Sequence, residues 1–187
     1  LLLLRRRNQE KIEVYSAEYF SNVNRSVELH ERAISSYIAR TAEYNGKKFT
    51  VYNDDFAGVY IDEQGFLNIA VVGESESKSQ QILRESGQVL YKQVAFSYNY
   101  LQSIMNAIES IMELYSIRTV GIDDFFNLVF VEMSDEKDIA PIIEYLQIEG
   151  LYNAAALSFE IDPKAKTVTD ADRAYGGESL YHWVSPT

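Results

Sequence analysis

An α+β fold built from two repeated strand-strand-helix-strand units is what this sequence predicts, and three observations carry the prediction. Two β-rich hairpins, Gly58–Asp62 with Phe66–Val72 and Thr119–Asp123 with Asn127–Met133, are each followed by a helix-forming stretch and one further strand. Between the units runs an amphipathic segment: Leu101, Ile104, Met105, Ile108, Ile111, Met112 and Tyr115 share one face, and Gln102, Asn106, Glu109 and Glu113 share the other. The composition, 47% apolar and 24% charged, is that of a chain that folds around a core. At 187 residues it can bury one sizeable core or two small ones sharing an interface, and two compact halves are expected.

The leading element is a helix. From Asn24 to Tyr44 the residues Val27, Leu29, Ala33, Ile34, Tyr37, Ile38 and Ala42 recur at roughly helical spacing, and Asn45-Gly46 is a natural stop. The first hairpin follows, with Glu63-Gln64-Gly65 as its turn and Gly65 supplying a positive φ. Ser75 to Ser86 holds Ile82 and Leu83 and predicts a short helix ended by Gly87, before a strand from Val89 to Phe96. Ser97 is a candidate N-cap for the amphipathic helix.

The second unit repeats the order. After its hairpin comes a helix opened by Ser134, running through Ile139, Ile142, Ile143 and Leu146 to Gly150, and then a strand over Ala155–Ile161. The hairpins also match in detail: Tyr60-Ile61-Asp62 before Phe66 parallels Gly121-Ile122-Asp123 before Phe126. That pattern predicts a duplication, each unit covering a three-stranded antiparallel or mixed sheet with a helix. The expected organisation is a helical segment over 1–50, a first unit over 51–98, a linking helix and second unit over 99–162, and an extended tail over 163–187.

Composition and motifs then narrow the chemistry. A formal charge of −11 opposes nucleic-acid binding, which needs clustered Lys and Arg against phosphate. The chain has no cysteine, which removes disulfides, thiol nucleophiles and cysteine-bound zinc and leaves the redox compartment open. Leu1-Leu2-Leu3-Leu4 before Arg5-Arg6-Arg7 is far short of a membrane span of ~20 residues. It is either the stub of an export signal or an arbitrary boundary, and basic residues normally precede such an apolar run.

His30 and His182 are the two histidines, and no G-x-S-x-G elbow accompanies them, so a serine-hydrolase site is not expected. His30-Glu31 opens like the zinc motif H-E-x-x-H, but Ile34 stands one turn on and the pair reads as polar helix surface. No glycine-rich phosphate cradle occurs. The carboxylate pairs Asp54-Asp55, Asp62-Glu63 and Asp123-Asp124 lack the alternating calcium loop and read as solvated turns. No metal, cofactor or catalytic residue is therefore expected. Of the fourteen tyrosines, Tyr91, Tyr98, Tyr100, Tyr115, Tyr145 and Tyr152 gather around the two units, mostly as core packing.

A small sheet with one helical face leaves an edge whose N–H and C=O groups can accept a partner strand, so partner binding is the physical default. The layout resembles the pro regions of secreted bacterial chymotrypsin-like serine proteases, the alpha-lytic protease and streptogrisin group, over roughly residues 56 to 177. The resemblance rests on the order of four pieces. They are the hairpin from Phe56 to Val72, the helix after Phe96-Ser97-Tyr98, Val120-Gly-Ile-Asp with Asn127-Leu-Val-Phe-Val131, and Tyr175-Gly-Gly-Glu-Ser-Leu180, which looks like the opening of a mature protease.

What it implies is an intramolecular chaperone and inhibitor in a secreted or cell-surface bacterial protein, with the cognate protease domain as partner in cis or trans. It further implies an edge contributed by Leu157, Phe159 and Ile161, and a tail around Arg173, Ala174 and Tyr175 laid in the active-site cleft. The competing readings are a free-standing extracellular interaction module and a small-molecule sensor or enzyme with a pocket between the units.

Overall fold

The computed structural model describes residues 16–44, 47–73 and 89–162. Within them the elements are helix α1 (Ala17–Tyr37), strands β1 (Ile38–Tyr44), β2 (Lys47–Tyr52), β3 (Phe56–Ile61), β4 (Leu67–Val71) and β5 (Val89–Gln93), helix α2 (Tyr98–Glu109), strands β6 (Ile117–Asp123) and β7 (Leu128–Met133), helix α3 (Ile139–Ile148) and strand β8 (Leu157–Ile161). This is an α+β fold with a leading helix and small sheets. The helix expected over Ser75–Ser86 and the tail over 163–187 lie outside the described residues.

The leading helix begins earlier and ends sooner than its periodicity suggests. Ser16 caps it by accepting from the Tyr19 N–H at 3.1 Å, and α1 stops at Tyr37. Residues Ile38–Tyr44, expected to be helical, instead pair antiparallel with Lys47–Tyr52. Ile38 and Thr41 suit a strand as well as a helix, and the hydrogen bonds of the second arm decide between them.

β3, β4 and β5 form one sheet, and β6, β7 and β8 another, each in that order. The first two strands of each run antiparallel and the third lies parallel to the second. The registers agree residue by residue. Phe56 faces Val71 and Ile117 faces Met133, a bulge follows in both, and Val59–Ile69 matches Val120–Val131. Leu67–Val89 and Val71–Gln93 match Val129–Leu157 and Met133–Ile161. Asp62 and Asp123 open equivalent turns: the Asp62 Oδ1 accepts from the Gln64 and Phe66 N–H groups, and the Asp123 Oδ1 from the Phe126 N–H.

α1 covers the first sheet. Ala33 and Tyr37 are buried with Phe56, Val59, Leu67, Ile69, Val71 and Val89. Its approach to the hairpin turn is close, because the Ser26 Oγ donates to the Gly65 carbonyl at 2.7 Å and a Cβ on Gly65 would lie 2.9 Å from the Tyr19 carbonyl oxygen. Gly65 has φ +85°, so the turn needs glycine for its conformation and for the space.

α2 and α3 cover the second sheet, with Leu101, Ile104, Met105, Ile108, Ile142 and Leu146 packed on Ile117, Val120, Val129, Val131 and Met133. The sheet's other face carries the Arg118–Glu132 ion pair at 2.8 Å, and the Phe130 ring lies over Gly121, where a Cβ would come within 2.6 Å of it. α2 ends at Glu109 rather than continuing to Tyr115, but Ile111 stays buried in the turn that follows. α3 is entered by a single 3-10 turn over Glu136–Asp138 rather than opened at Ser134, and Gly150 stops it at φ +70°.

Ser97 caps α2 as expected, accepting from the Tyr100 N–H at 3.3 Å. Ser97→Ala is expected to lower the unfolding free energy by about 1 kcal/mol. In urea titration this reads as a lower midpoint with an unchanged slope; an unchanged midpoint would show that the cap adds nothing here.

Candidate partner-binding edge and the junction between the units

Strand β8 closes one side of the second sheet, and no strand among the described residues pairs with its outer edge. The Asp162 N–H donates to the Met133 carbonyl at 3.0 Å, which fixes the alternation along the strand. Ser158 and Glu160 therefore turn their N–H and C=O groups toward β7, and Leu157, Phe159 and Ile161 turn theirs outward. The side chains of these last residues are partly buried against the second core, and those of Ser158 and Glu160 are exposed. Leu157, Phe159 and Ile161 thus come together as a backbone edge held by its own packing, whereas Arg173, Ala174 and Tyr175 lie outside the described residues.

A second feature joins the two units. The outer face of the first sheet, away from α1, carries Gly58, Tyr60, Asn68 and Ala70, and on it sits the turn between β6 and β7. The Val59 N–H donates to the Asp124 Oδ2 at 3.2 Å. The Phe125 ring meets Tyr60 edge to face at 5.2 Å between centroids. The Lys92 ammonium lies 4.7 Å from the Phe125 ring centre and donates to the Phe125 carbonyl at 3.1 Å. Gly58 makes the approach possible, because a Cβ there would lie 2.6 Å from the Asp124 Oδ1.

Two asparagines complete the junction by acting as surrogate backbone. Asn127 takes the Phe96 N–H on its Oδ1 at 2.9 Å and donates from Nδ2 to the Phe96 carbonyl at 2.8 Å. Asn99 makes the same pair of bonds with Tyr52, at 3.0 and 2.8 Å.

These contacts correct the reading of Asp123-Asp124 as a solvated turn. Burial against the opposing sheet pushes the Asp124 carboxyl up to about 7, opposed by the Val59 hydrogen bond and reinforced by Asp123. The Tyr98 and Tyr52 phenols are also pushed up, by burial first and then by the Asp124 charge. The signal missed in the sequence was Gly58 on a strand, which marks a close approach without naming what approaches.

His30 lies on α1, half-buried, and burial pulls its imidazole down. Among the described residues no three His, Cys, Asp or Glu side chains are placed to hold a metal ion. No helix among them is long and apolar enough to cross a membrane. Neither a family model nor a curated protein sequence matches this chain.

Proposed function

We propose that this chain is a non-catalytic, pro-region-like domain that acts as chaperone and inhibitor of a cognate secreted serine protease. The observation that carries the reading is the β8 edge, unpaired among the described residues, whose Leu157, Phe159 and Ile161 turn backbone N–H and C=O groups outward from a packed sheet. A protease strand adds to that edge through main-chain hydrogen bonds, while the segment from Pro163 to Tyr175 enters the cleft of the same protease. Strand addition supplies binding energy to a partner whose folding is kinetically blocked, and it needs no sequence-specific chemistry. The shared register of the two sheets supports descent from one duplicated unit.

The test begins with the coding sequence beyond Thr187. Where a chymotrypsin-like domain with His, Asp and Ser in that order follows, it is refolded alone and with the chain added in trans. The expected result is recovery of activity at least 100-fold faster with the chain, followed by inhibition of the native enzyme, on the order of 3 kcal/mol at the folding barrier. Equal recovery, no inhibition, or an unrelated continuation overturns the reading. An unrelated continuation leaves the extracellular interaction module as the better account.

A further inference from the structure

Asp124 is a partly buried carboxylate that the proposed chaperone role does not use. Among the described residues its carboxylate takes one hydrogen bond, from the Val59 N–H, and no ion pair. Every group that faces it is neutral, of like charge or otherwise engaged. Tyr52 comes from β2 and Tyr98 from the first turn of α2, and both phenols stay protonated at neutral pH. Asp123 stands beside it on the same turn, with its Oδ1 engaged by the Phe126 N–H. Lys92, from β5, has its ammonium spent on the Phe125 carbonyl and ring.

A carboxylate enclosed in this way is poorly solvated when ionised and well accommodated when neutral, since the neutral form still accepts from Val59 through one oxygen. The cost is removed if the turn leaves the sheet, because the carboxylate then meets water. Asp124 and Phe125 of the β6–β7 turn are also what this turn seats on the first sheet.

We propose that this junction is a proton-controlled latch: neutral Asp124 seats the β6–β7 turn on Gly58 and Val59, and its ionisation favours release of that turn from the first sheet. The inference stands on the contact between the units and is independent of the protease reading. Release uncovers Gly58 and Tyr60. The latch is therefore held in mildly acidic surroundings and loosened above neutrality.

The direction follows from proton linkage. The carboxyl is raised from 3.8 to about 7 in the seated state, so the seated state binds more protons than the open or unfolded state between those values. Seating is fully favoured below the lower value and is progressively lost as the pH rises through the upper one. The change is at most tenfold in the opening equilibrium per pH unit.

The experiment follows exchange of the Val59 amide hydrogen by NMR on the whole chain from pH 5 to 8, corrected for the intrinsic exchange rate, in the natural protein and in Asp124→Asn. The asparagine retains an oxygen for Val59 and does not titrate. Expected is a loss of Val59 protection with rising pH in the natural protein, approaching tenfold per unit around pH 5 to 6 and levelling off above neutrality, and a flat profile in the variant. The same slope in both proteins overturns the proposal. Should the variant not fold, the carboxyl carbon resonance of Asp124 in the natural protein decides. A titration midpoint near neutrality supports the latch, and one in the ordinary carboxylate range overturns it.

Discussion

Replacing Gly58 by alanine is expected to cost about 3 kcal/mol of stability, a sum of strained backbone and a blocked contact. Gly58 has φ +131°, where an L side chain is strained, so part of the loss arises inside β3 itself. The rest arises because the new Cβ would lie 2.6 Å from the Asp124 Oδ1, 2.7 Å from its Cγ and 3.1 Å from its Cβ. Rotating the carboxylate relieves the first two contacts and not the third, so the turn must also shift by a few tenths of an ångström. Guanidinium unfolding measures the total, and a loss below about 1 kcal/mol would show that the turn is not held against the sheet. Combining the change with Asp124→Ala separates the parts: the two shortest contacts are relieved in the double variant while the Cβ contact and the backbone strain are kept, so the two losses are not additive.

Asn127→Ala is expected to be the other severe loss, about 3 kcal/mol. Asn127 is buried, has φ +56°, and satisfies both the N–H and the C=O of Phe96. Alanine leaves both Phe96 groups without their partner and sits less comfortably in the left-handed region than asparagine does. Asn127→Gly removes the same hydrogen bonds but accepts the conformation, so it is expected to be milder than alanine by about 1 kcal/mol. A glycine variant as stable as the natural protein would show that the Phe96 hydrogen bonds contribute nothing. Equal losses for glycine and alanine would show that the backbone conformation is immaterial.

Both positions carried a local signal whose meaning was not local. Gly58 on a strand and Asn127 after a hairpin turn each mark unusual geometry, but the residues that require it, Asp124 and Phe96, lie far away in the chain. Lys92 is similar: its strand was legible, and its seat over Phe125 was not. At the β8 edge, the alternation of Leu157, Phe159 and Ile161 with Ser158 and Glu160 was enough to place a half-buried strand. The hydrogen bond from Asp162 to Met133 was needed to show which backbone groups face outward.

The sequence by itself determined the elements whose causes lie within a few residues. The apolar face of α2 and its Ser97 cap, the turns opened by Asp62 and Asp123, and the strands from Leu67 and Leu128 all depend on side-chain period and local hydrogen bonding. Tertiary structure alone decided that Ile38–Tyr44 is a strand, because a second strand supplies its hydrogen bonds. It also decided that the Asp124 carboxylate is partly buried against the first sheet while Asp123 serves a turn, because solvation depends on what another part of the chain places against a residue. Period and propensity act along the chain, whereas burial, register between distant strands and the proton affinity of a carboxyl are set across it.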